Sequence, residues 1–282
     1  FFYFRHTPVP ATVVKSKETP SALTQALARY PNAVAFNGHT HVTLNDERSV
    51  WQGAFTAISI PSMSYTSMPR GYENGGDTRK ANSQVGMQSL PARADLEEAQ
   101  GYLVSVYGDR MEVERYDFER MTEAAAPWVV PLGAGRAKPY EPARHAEATP
   151  VPQFPEGAAV QARVTNADTR NARWTIFMTL EFPAAKAPDG GRVYDYEIRA
   201  EMEADGKVAA VKRFLSPAFY KLPEAEPETL RFLFDTMDVP ESGRYRFKVY
   251  PRNCFGLVGA PIASRVFESK PGKDKAKGRQ WK

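Results

Sequence analysis

The sequence has 282 residues, 42% of them hydrophobic and 25% charged, which allows one large or two ordinary domains and excludes disorder along the whole chain. Its single cysteine, Cys254, excludes an intrachain disulfide, and no apolar run approaches the ~18 residues of a transmembrane helix. Six of the 37 basic residues but only one of the 33 acidic residues lie between Lys270 and Lys282, so the net charge of +4 indicates a basic tail and no nucleic-acid interface.

The first residues predict a β-strand at 1–5, because Phe1-Phe2-Tyr3-Phe4 has the composition of a buried strand. This segment has neither the charged nor the long apolar region of a signal peptide. A hydrophobic strand at this place suggests that the chain starts inside a domain. We therefore interpret it as the C-terminal portion of a larger protein.

A strand–helix–strand unit follows. Thr19-Pro20 is typical of a helix start, apolar residues then recur at helical spacing, and Pro31-Asn32 ends the helix before a short strand at 33–36. Strands are also expected around 50–55 and 57–60. Alternating residues on both sides of Gly108-Asp109 predict a hairpin.

The second half of the chain has a different pattern. Seven prolines between 127 and 155 predict an extended linker, and His145 within it is expected to be exposed and inert. Period-two runs separated by turn sequences then predict a β-sandwich. The predicted domains are an α/β part at 1–132, a linker at 133–155, an all-β sandwich at 156–268 and a disordered basic tail at 269–282.

Three of the four histidines, His6, His39 and His41, follow predicted strands. Loops at the carboxyl ends of strands in an open α/β sheet converge, so these imidazoles are expected to meet. Alternate residues of an extended backbone lie about 6.6 Å apart on one side, and paired ions lie about 3.5–4 Å apart, so His-x-His can give one imidazole to each ion. Gly38 leaves room for the backbone near the ions. The pattern therefore predicts a metal site at His6, His39 and His41.

The segments Phe-Tyr-Phe-Arg-His6 and Asn-Gly38-His39-Thr40-His41 resemble the last two of five metal-ligand blocks of the calcineurin-like metallophosphoesterase family. The resemblance covers roughly 1–132 and implies the C-terminal half of a metallophosphoesterase-type α/β sandwich. The later domain more loosely resembles a fibronectin III or immunoglobulin-like module.

This resemblance implies a centre of two divalent or trivalent ions (Mn, Fe or Zn) that hydrolyses a small phosphorylated substrate. His6 and His39 would bind one ion with an upstream Asn and a bridging Asp, and His41 would help to bind the other. The family's first three blocks, Asp-x-His, Gly-Asp-x-x-Asp and Gly-Asn-His, have no counterpart in order. The run from Gly108 to Glu112 imitates the second block, but it lies in a predicted hairpin turn.

The chain is therefore expected to be incomplete alone, with the missing N-terminal half of the catalytic domain as its partner. No catalytic residue is identified beyond the metal ligands. Two alternatives stay open: a non-catalytic binding or cell-surface module whose sandwich carries the function, and a single structural zinc on the three histidines. The substrate class, whether monoester, diester or nucleotide, stays open too. An extracytoplasmic bacterial location is favoured only by the association of a sandwich with a hydrolase.

Several other residues are weaker candidates for a role in the metal site. Asn37 and Thr40 either orient an imidazole or form the turn. The polar loop at 70–90 either contacts a substrate phosphate or is solvated; its candidates are Arg70, Tyr72, Asn74, Arg79 and Lys80. Cys254 is expected to be a buried small side chain and no nucleophile.

Overall fold

The computed structural model describes most of the chain. The described residues are 1–69, 71–73, 99–133, 135–169, 173–188, 191–220, 227–235, 238–240, 242–270 and 280–281. The helices are α1 (Ala22–Leu27), α2 (Pro142–Ala148) and α3 (Pro217–Tyr220), with a short 3-10 helix at Glu47–Ser49. The strands are β1 (Phe2–Arg5), β2 (Val34–Asn37), β3 (Val50–Gln52), β4 (Thr56–Ser59), β5 (Gln100–Val106), β6 (Arg110–Asp117), β7 (Thr122–Pro131), β8 (Gln161–Thr169), β9 (Arg173–Pro183), β10 (Asp195–Met202), β11 (Val208–Leu215), β12 (Thr229–Asp235), β13 (Gly243–Arg252), β14 (Ile262–Lys270) and β15 (Gln280–Trp281).

The chain divides into two compact units. The first comprises Phe1–Met68, Arg93–Pro150 and Phe219–Glu224, and the second comprises Pro69–Ala92, Val151–Ala218 and Ala225–Lys282. The main division, after residue 150, lies inside the region that the prolines predict to separate two domains.

The first unit contains a four-stranded sheet in the order β1-β2-β4-β3. Strands β1, β2 and β4 are parallel, and β3 runs antiparallel to β4. Arg5 pairs with Asn37, and Asn37 pairs with Ser59, so the three parallel strands end at one level. The loops that follow them therefore leave the same edge of the sheet.

Side chains of this sheet alternate between two faces, and those of β2 and β4 are buried on both faces. Phe36 and Ile58 pack against the antiparallel meander β5-β6-β7. Ala35 and Ala57 pack on the opposite face against Leu27 of α1. The core of the first unit thus lies on both sides of the sheet, as is usual for parallel strands.

The meander confirms the predicted hairpin. Strands β5 and β6 pair in antiparallel register, and Gly108 and Asp109 lie in the turn between them. The run from Gly108 to Glu112 is therefore turn and strand sequence.

Helix α1 begins later than Thr19-Pro20 predicts. Ser21 is its N-cap: the Ser21 hydroxyl accepts a hydrogen bond from the Thr24 amide at 3.3 Å, and the Thr24 hydroxyl accepts one from the Ser21 amide at 3.1 Å. This capping box satisfies two amides that the helix would otherwise leave without partners. It fixes the helix start at Ala22.

Residues 133–155 are not extended throughout, so this part of the linker prediction is wrong. Glu141 caps α2 by accepting a hydrogen bond from the Arg144 amide at 3.3 Å, and Pro142 occupies the first turn, where its missing N–H costs nothing. The helix buries His145, which is only 7% exposed. The expectation of an exposed His145 is therefore also wrong.

The second unit is compatible with the predicted β-sandwich. One sheet has the order β11-β10-β13-β14-β15 and another has the order β12-β9-β8. Side chains of both sheets share one hydrophobic core, which includes Phe182 and Phe232 from one sheet and Tyr196 and Phe247 from the other. Cys254 is buried, as predicted.

The predicted basic tail is only partly described. Residues 271–279 and 282 lie outside the described residues. Gln280 and Trp281 pair with Lys270 and Ser269 of β14, so this part of the tail is a strand rather than disordered. The edge of β14 that does not pair with β13 offers the backbone partners for this pairing.

The described chain is mostly β-sheet with few helices. The α/β character of the first unit rests on three parallel strands and on α1 between β1 and β2. Its assignment to a metallophosphoesterase-type sandwich stays a prediction. Within the described ranges, no helix has the length and apolar character needed to cross a membrane.

Candidate metal centre

The candidate site lies at the carboxyl edge of the parallel strands. His6 follows β1 directly, and Gly38 and His39 follow β2. The Gly38 amide donates a hydrogen bond to the Arg5 carbonyl at 3.2 Å, which continues the β1–β2 pairing up to the histidines. A Cβ on Gly38 would lie 3.4 Å from the His6 carbonyl oxygen. Gly38 is thus placed against the backbone of the first histidine.

His6 and His39 come together across this edge. His6 Nε2 lies 3.1 Å from His39 Nδ1, and the ring centroids are 4.9 Å apart with an interplanar angle of 70°. Both residues are exposed. The parallel pairing of β1 with β2 therefore brings two imidazole nitrogens from distant parts of the sequence into one small, accessible space.

His41 has a different environment. Its Nδ1 lies 3.1 Å from the carbonyl oxygen of Tyr65, and the two rings are 4.2 Å apart. A carbonyl can only accept, so His41 Nδ1 carries the proton and the Nε2 lone pair points elsewhere. Histidines that bind metals are commonly oriented in this way by a backbone carbonyl.

The histidine loop is not extended, contrary to the premise of the His-x-His argument. Strand β2 ends at Asn37, and His39 and His41 have φ values of 76° and 49°. The left-handed region costs a non-glycine residue about 1–3 kcal/mol and persists only where the surroundings hold it. The two side chains are therefore directed by a turn and not by strand alternation.

Strained residues concentrate at this edge. Among the described non-glycine residues, positive φ occurs at Ala11 and Lys15 in the loop after β1, at His39 and His41 after β2, and otherwise only at Met121. Strained backbone of this kind clusters at active sites and ligand clamps, so these positions mark a candidate site.

Asn37 and Thr40 serve the turn. Asn37 is fully buried: its side-chain oxygen accepts from the Val9 amide at 3.2 Å, and its amide donates to the Ala35 and Ile58 carbonyls. The Thr40 hydroxyl lies 2.8 Å from the Ser59 hydroxyl. Neither side chain is shown against an imidazole, so both contacts fit the turn-forming interpretation.

A polar network in the same unit escaped the sequence analysis. Glu47 accepts hydrogen bonds from Arg115 at 2.5 Å and from Trp128 at 2.7 Å, and His145 Nε2 lies 3.5 Å from the same carboxylate. Burial alone would raise the pKa of Glu47, but His145, Arg115 and Trp128 outweigh it and hold the pKa at about 2. The partners are far apart in sequence, so no local pattern signals them.

An apolar groove lies beside β1. It has a volume of about 350 Å³ and is lined by Phe2, Phe4, Phe36, Ile60, Tyr102, Val104 and Val106. Phe4 is 68% exposed, and in the described part of the chain no strand pairs with the outer edge of β1. The first unit thus presents an open strand edge next to an apolar surface.

The loop candidates do not join the site in the described residues. Tyr72 belongs to the second unit, where its ring lies 6.0 Å from that of Tyr194, and burial followed by the charge of Asp195 raises its pKa. Arg70, Asn74, Arg79 and Lys80 lie outside the described residues.

Among the described residues, no group of three or more His, Cys, Asp or Glu side chains is arranged to hold a metal ion. The structure brings two of the three predicted ligands together and turns His41 toward Tyr65. Comparisons of the chain with protein-family models, with curated proteins and with solved structures gave no match.

Proposed function

We propose that this chain supplies the last histidine ligands of a dinuclear metal centre that hydrolyses phosphate esters. The observation that carries the proposal is the 3.1 Å separation of His6 Nε2 and His39 Nδ1. It is joined by the resemblance of the two histidine segments to a metallophosphoesterase.

The separation fits two ligands of one ion. The two nitrogens are close enough for both to lie about 2.0–2.1 Å from one metal ion, so His6 and His39 would hold it together. Two neutral imidazoles also form a hydrogen bond at this distance. The resemblance of the two histidine segments to a metallophosphoesterase favours the metal over the hydrogen bond.

His41 has the properties of a ligand to a second ion. Its Nδ1 is held by the Tyr65 carbonyl, which leaves Nε2 as the coordinating atom. A bound metal pair would supply a hydroxide near neutral pH and neutralise charge on the phosphoryl oxygens. The protein's own residues would bind the ions and orient the imidazoles. The ends of β1 and β2 position His6 and His39, and the loop after β4 orients His41.

The missing carboxylates are proposed to come from the remainder of the catalytic domain. Three imidazoles do not complete two coordination spheres, and no His, Cys, Asp or Glu cluster completes them in the described ranges. The open edge of β1 and the groove at Phe2 and Phe4 suit a segment that adds a strand and buries apolar side chains. The substrate proposed is a small phosphorylated molecule.

The proposal is tested by titrating the chain with Zn²⁺, Mn²⁺ and Co²⁺ and following heat and, for Co²⁺, visible absorption. His6→Gln and His39→Gln are each expected to lower the affinity for the first ion by about 100-fold or more. Losing a residue that only supports a ligand already lowers metal affinity about 10–100-fold. His41→Gln is the matched control. It is expected to change the affinity for the first ion by no more than about threefold.

Other outcomes decide between the alternatives. If the chain binds one equivalent of metal and all three variants lose the same amount of affinity, the result would support the single structural zinc. No binding by the unaltered chain, or binding that ignores His6 and His39, would refute the proposal. Once the chain is joined to the segment that supplies the carboxylates, two equivalents of metal and turnover of an aryl phosphate are expected.

A further inference from the structure

We infer that Lys15 is the positioning residue of the histidine loop: its ammonium group fastens the backbone between His39 and His41 to the loop after β4. The effect on metal binding rests on the proposed function, whereas the effect on the loop does not.

The side chain of Lys15 bridges two loops. Its Nζ donates a hydrogen bond to the Thr40 carbonyl at 3.2 Å and another to the Ser67 carbonyl at 3.1 Å. Thr40 is the residue between the two histidines, and Lys15 itself belongs to the loop after β1. One ammonium group therefore joins the loops that follow all three parallel strands.

A backbone contact completes the arrangement. The Ser67 amide donates to the His41 carbonyl at 2.7 Å, and His41 Nδ1 is held by the carbonyl of Tyr65. Lys15 thus holds the carbonyl of the peptide bond that joins Thr40 to His41, and the Ser67 amide holds the carbonyl of the next peptide bond. This is the place where the chain passes from one left-handed histidine to the next.

The charged groups near Lys15 do not draw its ammonium group away from these two carbonyls. Asp46 is the nearby carboxylate, but Arg48 engages it through two hydrogen bonds of 2.8 and 2.6 Å. Within the described residues, no carboxylate forms an ion pair with Lys15. Hydrogen bonds from a charged donor are stronger than neutral ones, so these two contacts are effective restraints.

Lys15 is itself strained, with φ at 59°. Lys15 is the third residue of a turn closed by a hydrogen bond of 3.1 Å from the Ser16 amide to the Val13 carbonyl, and a turn of this kind accommodates a positive φ at that residue. Residues in such conformations persist only where contacts hold them, and Lys15 supplies contacts of this kind for His39 and His41.

The first test uses amide hydrogen exchange in the metal-free chain. Lys15→Met keeps the length of the side chain but removes both hydrogen bonds. It is expected to speed exchange of the Ser67 amide by about tenfold or more, while amides inside β2 and β4 stay unchanged. Lys15→Arg is expected to keep most of the protection. Lys17→Met, an exposed lysine in the same loop, is the control and should have no effect.

The second test repeats the metal titration. Lys15→Met is expected to lower the affinity for the ion at His6 and His39 by about tenfold, the size of effect found for residues that orient a metal ligand. Lys15→Arg is expected to keep this affinity within about threefold of that of the unaltered chain. Unchanged Ser67 exchange in Lys15→Met refutes the inference. Faster exchange with unchanged metal affinity refutes the positioning of ligands. If the unaltered chain binds no metal, the proposed function fails, and the exchange experiment still decides the role of Lys15.

Discussion

Replacing Glu47 with glutamine is expected to lower the free energy of unfolding of the first unit by about 3–5 kcal/mol, the usual result of removing one partner of a buried ion pair. The Arg115 side chain is only 6% exposed and would lose its carboxylate partner at 2.5 Å. Its guanidinium would keep the Ala126 and Leu44 carbonyls, which do not neutralise the charge. Urea denaturation measures the change.

The same carboxylate predicts a dependence on pH. The pKa of Glu47 is about 2 in the folded chain against an ordinary value of 4.5. A carboxylate whose pKa is lower in the folded state stabilises the fold fully at a pH above its pKa in the unfolded state. This stabilisation is lost as the pH falls through its pKa in the folded state. The contribution of about 3 kcal/mol should therefore be present above pH 4.5 and disappear toward pH 2.

Glu147→Gln is the matched control, because Glu147 is exposed and lies on α2 two residues after His145. Its effect is expected to stay within about 0.5 kcal/mol, as is usual for a surface substitution. If Glu47→Gln and Glu147→Gln had equal effects, or if the acid dependence of Glu47→Gln matched that of the unaltered chain, the network would not contribute as argued.

Replacing Arg252 with methionine is expected to destabilise the second unit by about 3–5 kcal/mol. Arg252 donates two hydrogen bonds of 2.6 and 2.5 Å to Asp195, whose side chain is fully buried. Without the guanidinium, the carboxylate stays buried with its main charge partner removed. Unfolding of the second unit in urea, at neutral pH, measures the effect.

Two further variants separate this explanation from a general loss of packing. Combining Arg252→Met with Asp195→Leu should recover most of the stability, because a buried ion pair replaced as a whole by apolar residues is often neutral. Arg163→Met removes an exposed pair with Glu181 and should cost less than about 1 kcal/mol. A double variant no more stable than the single one would contradict the argument.

Local patterns predicted much of the fold. Strands β1, β2 and β4 and the hairpin around Gly108 follow from apolar runs, alternation and turn residues. The start of α1 was misplaced because Thr19-Pro20 and Ser21 are both good helix starts. Only the reciprocal bond with Thr24 decides between them.

What escaped prediction depends on contacts between distant residues. His145 looked exposed among prolines, yet it is buried because α2 places it against Glu47, far away in the sequence. Glu141-Pro142 is in fact a good helix start, a signal that the number of prolines obscured.

The meeting of His6 with His39 was predictable, because it needs only parallel strands that end at one level. The turn at His39 and His41 was not. Histidine enters the left-handed region more often than most residues, but the motif alone does not show that both histidines do so, because the contacts that stabilise the turn come from Lys15, Tyr65 and Ser67 in other loops.

The open edge of β1 also governs how the isolated chain behaves in solution. Among the described strands none pairs with the outer edge of β1, and its backbone groups beside exposed Phe2 and Phe4 form a template for non-native strand pairing between molecules. Sedimentation velocity should therefore reveal aggregates that grow with concentration. Phe4→Lys should suppress them, since a charge on an edge strand discourages such association.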